Sequence, residues 1–260
     1  MKILTVGDVV SQPGLQTVEH VLRRVKKQVG ADFTIVNGEN ASGVGITPKQ
    51  ADAIFDAGAD VITLGNHTYR KQNIVTYLED NRYIIRPANL APQSPGEGFG
   101  IYESSSGWRV LVFELIGRCD MQYGPDNPFL RADRILREQD DVAVCEIHAS
   151  ATSEKLAMGF YLDGRVSAVY GTHTHVPTAD ARVNPEGTGY ITDLGMTGPK
   201  WSVLGVRKEQ SIAMFRGDLT SRFEPAEGVC VLQGAVFDID ESTGKCRGVQ
   251  RIEEEYVPGK

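Results

Sequence analysis

Along the first third of the chain, short apolar runs rich in β-branched residues, Lys2 to Val6, Phe33 to Val36 and Val61 to Leu64, alternate with longer stretches of helical period. That is the pattern of βαβ units and a largely parallel sheet. Between the first two runs, Val18, Val21, Leu22, Val25 and Val29 form an apolar stripe within Leu15 to Val29 and predict a helix. Thr47-Pro48 followed by Gln50 predicts the start of a second helix, which Gly58 closes. Each run ends in a polar cluster: Gly7-Asp8, Asn37-Gly38-Glu39-Asn40 and Gly65-Asn66-His67.

Further on, Gly98 to Tyr102 and Trp108 to Leu115 flank Ser104-Ser105-Ser106-Gly107, a hairpin signal, so the middle of the chain turns antiparallel. Two more apolar runs, Val142 to Ile147 and Val166 to Tyr170, again end in polar chemistry at His148 and at Gly171-Thr172-His173-Thr174-His175. Asn184-Pro185-Glu186-Gly187 and Glu241-Ser242-Thr243-Gly244 separate β-rich flanks, and the last eighty residues are expected to be hairpins with little helix. No linker, repeat or low-complexity tract interrupts the chain, so residues 1–260 are expected to form one α/β domain. Helices should cover a mixed sheet or two packed sheets, with active groups gathered at the carboxyl ends of the parallel strands.

Composition narrows the function classes. A formal charge of −7 and a pI near 5.3 argue against a sequence-independent nucleic-acid coat, which needs a net basic face. A small phosphate ester stays open, because metal ions supply positive charge locally. Cys119, Cys145, Cys230 and Cys246 are widely spaced with no C-x-x-C pair; no secretory leader ahead of them and free thiols in a reducing cytoplasm are expected. Nowhere do eighteen uncharged apolar residues follow one another, so no membrane contact is expected.

Of the five histidines, His67, His148, His173 and His175 all follow expected strands. A histidine that merely satisfies a core hydrogen bond needs no such company, whereas a metal site collects imidazoles and carboxylates from several strand ends. His20 falls inside the first helix beside Glu19 and Arg23, where exposed polar residues are expected, and stays outside the site. His173-x-His175 is a weak motif by itself, but side chains two apart in an extended segment share a face. Asp8 and Glu39 add anionic oxygens, and Asn40 and Asn66 add amide oxygens; alone, the aspartate and the two asparagines would read as turn residues. Taken together, the candidate ligands are too many for one catalytic ion with an open position and suit two. The mixed oxygen and nitrogen set favours Mn, Fe, Ni or Zn over Ca or Mg. Two such ions about 3.5–4 Å apart can hold a bridging hydroxide in line with a leaving oxygen. His67, beside Asn66 and near neutral in ordinary pKa, is the best candidate for the general acid that protonates the leaving group.

Gly7-Asp8, Gly65-Asn66-His67 and Gly171-Thr172-His173-Thr174-His175 resemble the calcineurin-like metallophosphoesterases. Within that superfamily, Gly7-Asp8-Val9-Val10, Asn37-Gly38-Glu39-Asn40, Arg86-Pro87-Ala88-Asn89, Ala151-Thr152-Ser153-Glu154-Lys155 and the run from Ile191 to Pro199 resemble the bacterial YmdB family almost end to end. The resemblance implies a four-layer α/β/β/α sandwich of two mixed sheets and a cyclic-nucleotide phosphodiesterase, usually of 2′,3′-cyclic nucleotides, with two iron or manganese ions per chain. Carried over, it implies that Asp8, Asn40 and His175 hold one ion, that Asn66, His148 and His173 hold the other, that Glu39 bridges them, and that His67 donates the proton. The chain departs from the wider superfamily at Val10, Glu39 and Thr68, as YmdB-type proteins do. It departs from the narrower family at Glu146 and Ser150, where Asp and Glu are expected beside His148.

Two rival readings use the same residues. One is a phosphomonoesterase acting on nucleotides or phosphoproteins, and the other is a metal-binding signalling protein with little turnover. The expected partner is a small phosphodiester rather than a sequence-specific nucleic acid, and homo-oligomer formation is left open. The basic run Arg23 to Lys27 reads as a solvated helix face, and Gly195 to Pro199 as either a phosphate-facing loop or a plain turn.

Overall fold

The structure, a computed structural model, describes residues 1–137, 142–219 and 222–259. In chain order the elements are β1 (Lys2–Val6), β2 (Asp8–Val9), α1 (Ser11–Val29), β3 (Phe33–Asn37), α2 (Pro48–Asp56), β4 (Val61–Thr63), α3 (Ile74–Asp80), β5 (Ile84–Ile85), β6 (Phe99–Glu103) and β7 (Arg109–Ile116). They continue with α4 (Pro128–Leu136), β8 (Val142–His148), α5 (Thr152–Tyr161), β9 (Ala168–Thr172), β10 (Arg182–Val183), β11 (Gly189–Ile191), β12 (Met196–Pro199), α6 (Lys208–Phe215), β13 (Cys230–Ile239) and β14 (Cys246–Tyr256).

Two mixed sheets result. In the first, β1, β3, β4 and β5 run parallel, while β13 pairs antiparallel with β1 and β14. In the second, β7, β8, β9 and β11 run parallel between the antiparallel edges β6 and β10.

The core divides into three apolar layers, and their membership shows how the sheets stack. Ile3, Phe33, Ile35 and Val61 of the first sheet pack against Val110, Val112, Val144 and Tyr170 of the second. The opposite face of the first sheet, through Leu4, Val36 and Ile62, meets the stripe Val18, Val21, Leu22 and Val25 of α1 and Ile54 of α2. The opposite face of the second, through Leu111, Phe113 and Cys145, meets Ala132 and Ile135 of α4 and Met158 of α5. Strands buried on both faces read as continuous apolar runs, which is why these segments are visible in the sequence. The architecture is therefore α/β/β/α.

Local signals explain the helix ends. The Gln50 side chain accepts from the Thr47 amide at 3.0 Å, one half of a capping box at the start of α2. Gly30, at φ +67, ends α1 by donating back to Lys26 and Lys27 carbonyls. The basic face of α1 is solvated and paired, Arg24 to Glu254 at 2.6 Å and Lys26 to Asp60 at 2.8 Å.

Two expectations change. Gly195 to Pro199 is neither a phosphate loop nor a plain turn: Met196–Pro199 is a buried strand that pairs with β2 and β13. Its approach depends on Gly7, where a Cβ would fall 2.2 Å from the Gly195 carbonyl oxygen. The last eighty residues carry β10 to β14, but they also contain α6, which has no apolar stripe and buries only Ser211. Among the described residues, no helix is long and apolar enough to cross a membrane.

Candidate metal centre

The residues singled out in the sequence meet at one edge of the sandwich, where the parallel strands of both sheets end. Asp8 opens β2; Glu39 and Asn40 follow β3; Asn66 and His67 follow β4; His148 is the last residue of β8; and His173 and His175 follow β9. His20 stays apart on α1, exposed and stacked on Tyr256. Strand direction alone produces this gathering, because each chain leaves its sheet on the same side.

Two clusters share the cradle. His148 Nε2 lies 2.9 Å from Asn66 Oδ1, 3.1 Å from His173 Nδ1 and 3.3 Å from Glu39 Oε1. His175 Nε2 lies 3.3 Å from Asn40 Nδ2 and 3.6 Å from Asp8 Oδ1. Glu39 connects the clusters, since Asn40 Nδ2 donates to its Oε1 at 2.9 Å and the His67 amide donates to its Oε2 at 3.1 Å. His67 Nδ1 sits 2.9 Å from Asn40 Oδ1. Asp8, Glu39 and His148 are fully buried, while His67 and His173 are partly open.

The close approach needs a glycine. A Cβ on Gly65 would lie 2.3 Å from Glu39 Oε2 and 2.5 Å from His148 Nε2, inside the space the ligating atoms surround. The turn after β9 needs unusual backbone, with His173 at φ +92 and His175 at φ +62. Such angles are uncommon for residues with a Cβ and persist only where surrounding contacts hold them. Here the Asp8 carboxylate accepts from the His173 amide at 3.2 Å, and Asp193 accepts from the Thr174 amide at 3.2 Å and its hydroxyl at 2.7 Å.

The outer partners of the histidines decide which nitrogens face inward. Thr172 Oγ1 donates to Glu146 at 2.6 Å, so it accepts the Nδ1 proton of His148 at 2.9 Å. His175 Nδ1 faces the Leu204 carbonyl at 3.3 Å and therefore donates to it. In the neutral ring each Nε2 is thereby the lone pair turned into the cradle, open to an ion once its proton has left. Around His148 Nε2, further lone pairs from Asn66, His173 and Glu39 converge without a proton for each, and buried Asp8 Oδ1 has no hydrogen-bond partner. Such convergence is costly unless a cation enters. The donor set thus fits a metal, and the ligating atoms of Glu39, His148 and His173 lie within 4.8 Å of one another.

Electrostatics point the same way. Burial opposes charge on His148, yet the carboxylates of Glu39, Asp8 and Glu146 push it up to about 9: the site attracts a positive charge. Burial and neighbouring His148 push His173 down to about 4. Asp8 stays well below the carboxylate range because His175 outweighs its burial. His67 is lowered, chiefly by burial, although Glu39 pulls the other way.

A second carboxylate pair, Glu114 and Glu146, faces itself across β7 and β8 and lies near His148. Glu146 is already engaged by Asn37 and Thr172 on Oε1 and by Tyr170 on Oε2. Burial and the facing Glu146 hold Glu114 well above the usual range, and Glu146 reaches His148 through Thr172.

Sequence reasoning missed several supporting residues: Thr172, the Leu204 carbonyl and the fully buried Lys155–Asp193 pair at 2.7 Å. Thr172, Lys155 and Asp193 do lie within the motifs that carry the family resemblance, which was the one available signal. Ser150, noted for its departure from the family, faces His173 Nε2 at 3.1 Å.

Known proteins share this arrangement's sequence and fold. Residues 4–252 match the family model described as YmdB-like protein. The chain is 45% identical over 256 residues to the 2′,3′-cyclic-nucleotide 2′-phosphodiesterase of Bacillus subtilis (strain 168), covering 97% of this chain and 96% of that one. Among solved structures it is similar to a protein from Mycoplasma pneumoniae described as a novel phosphatase, with TM-score 0.92, 32% identity, and 99% and 95% of the two chains covered. The crystal structure of a hypothetical protein from Thermus thermophilus superposes with TM-score 0.90 at 37% identity, covering 99% and 100% of the chains.

Proposed function

The chain belongs to the YmdB-like family, and from that premise we propose that it is a single-domain, dinuclear-metal phosphodiesterase of cyclic nucleotides, the 2′,3′-cyclic ones foremost. The observation that carries this reading is the inward convergence of lone pairs on His148 Nε2 while its other nitrogen is tied outward to Thr172. In this proposal Asp8, Asn40 and His175 hold one ion, Asn66, His148 and His173 hold the other, and Glu39 reaches both. Iron or manganese suits that mixture of carboxylate, amide and imidazole. When bound, such a pair lowers the pKa of a water so that it attacks at neutral pH, and it offsets charge building on the phosphoryl group.

The chain's own residues supply the rest. Ring-opening of a cyclic phosphodiester leaves an alkoxide that needs a proton, and His67 is placed to give it. Its amide is fastened to Glu39 and its Nδ1 to Asn40, so the ring is held in register with the cradle and Nε2 is left for the leaving oxygen. Asn40 presents its amide nitrogen to Glu39 and His175 and its oxygen to His67. That oxygen accepts the Nδ1 proton of His67, so the protonated ring keeps its Nε2 proton for the leaving oxygen and becomes neutral imidazole on giving it up. The four cysteines are free, which suits the reducing cytoplasm we propose as its compartment.

The test is metal content by elemental analysis, together with hydrolysis of 2′,3′-cyclic AMP with and without Mn²⁺. About two ions per chain with metal-dependent turnover is expected. Protein that binds no divalent ion and hydrolyses nothing would overturn the proposal. A phosphomonoesterase is the second reading, favoured by the description of the Mycoplasma relative as a phosphatase. Turnover of 5′-AMP exceeding that of the cyclic substrate would decide for it.

A further inference from the structure

Two of the motifs that carry the family resemblance, Ala151 to Lys155 and Ile191 to Pro199, supply none of the proposed ligands. They meet instead behind the turn that carries His173 and His175. Lys155, fully buried on α5, donates to the Thr172 carbonyl at 2.6 Å and to Asp193 Oδ2 at 2.7 Å. The same Asp193 oxygen accepts from the Thr174 amide and hydroxyl, and its Oδ1 accepts from the Gly195 amide at 2.9 Å. Lys155 and Asp193 thus grip the residue before His173 and the residue between the two histidines. Gly171 admits this grip: a Cβ there would fall 1.9 Å from the Thr192 carbonyl oxygen and 2.7 Å from Lys155 Cδ.

We propose that the buried Lys155–Asp193 pair is a positioning device that holds the left-handed turn of His173 and His175 against Asp8, and so sets the geometry of the metal cradle. Three observations converge on this role. The turn contains two non-glycine residues at positive φ, a backbone that relaxes unless over-determined. A fully buried ion pair is weak evidence for stability, since apolar residues often replace one at no loss; its use here is directional, through three hydrogen bonds to the segment from Thr172 to Thr174. Next to it, Glu154 accepts from the Arg118 and Cys119 amides at 2.9 and 3.1 Å, fastening the facing loop whose Met121 touches Ser150, the partner of His173. Adjacent residues of one helix therefore hold both walls of the centre.

This inference rests on the ligand roles proposed for His173 and His175, and the experiment separates the two. Mn²⁺ binding is measured by calorimetry and by the electron paramagnetic resonance spectrum of the bound ion, with thermal melts alongside. The proteins are wild type, His173→Ala, the neutral pair Lys155→Met/Asp193→Asn, and Thr174→Val, which removes a single hydroxyl bond at a partly buried position. Supporting results are a loss of Mn²⁺ affinity of about 10- to 100-fold in the double variant, a smaller loss in Thr174→Val, altered spectra in both, and a fall in kcat with KM little changed. Wild-type affinity and spectrum in both variants, while His173→Ala loses metal, would overturn the positioning role alone. If the double variant does not fold, Thr174→Val decides by the same criteria. Unchanged binding in His173→Ala would overturn the ligand assignment beneath it.

Discussion

Replacing Gly65 with alanine tests the cradle with one methyl group. The added Cβ would sit 2.3 Å from Glu39 Oε2 and 2.5 Å from His148 Nε2, and real Cβ contacts essentially never fall below 3.0 Å. Glu39 or the Gly65 backbone must therefore yield by at least 0.7 Å. Metal–ligand distances tolerate only about 0.2 Å, so the displacement exceeds what coordination can absorb. Gly65 is not among the residues at positive φ, so alanine is compatible with the backbone. The cost to folding should then be the overpacking term, about 1–3 kcal/mol, partly offset by a gain of about 0.4–1 kcal/mol from the less flexible unfolded chain. Expected is a folded protein with metal affinity reduced at least about tenfold, equivalent to about 1.4 kcal/mol, and turnover reduced with it. Elemental analysis, calorimetric titration with Mn²⁺ and a thermal melt read these out together. Gly248→Ala, where a Cβ would meet nothing within 4 Å, is the control. A Gly65→Ala protein with full metal content and wild-type affinity would refute the placement of the ions between Glu39 and His148.

Other consequences are open to direct measurement. His67→Gln should keep its metal and lose about 10²- to 10⁴-fold in kcat on 2′,3′-cyclic AMP; unchanged turnover would remove His67 from proton transfer. Thr172→Val cuts the link from His148 Nδ1 to Glu146 and should weaken metal binding about 10- to 100-fold, read by competition with a chelating dye. In the metal-free protein His148 is raised from 6.5 to about 9, so binding an ion must displace its proton. Apparent Mn²⁺ affinity should accordingly rise as pH climbs toward about 9 and then level, and a flat profile from pH 7 to 9 would contradict it. The same raised pKa stabilises the metal-free fold fully below about 6.5 and no longer above about 9, so the Tm of chelator-treated protein should fall across that window.

The amino-acid sequence by itself determined the parallel strands β1, β3, β4, β7, β8 and β9, the apolar stripe of α1, the start of α2, and the identity of the residues that meet in the cradle. These are local facts: a buried strand is a short apolar run, a helix repeats every three to four residues, and chemistry placed just after such a run emerges at the sheet's edge. Tertiary structure alone decided which sheet each strand joins, how the layers stack, and what stands behind the ligands. Lys155 and Asp193 are 38 residues apart, and Asn37 and Glu146 are 109 apart, so no periodicity links them. Buried polar groups find partners only once the backbone has brought them out of water, and there an unpaired charge costs far more than at the surface. For the same reason α6 escaped detection, because a helix that buries little beyond Ser211 has no core-facing stripe to read. The inward direction of the His148 and His175 lone pairs is likewise a tertiary property. It is set by a threonine and a carbonyl that only the folded chain places beside them.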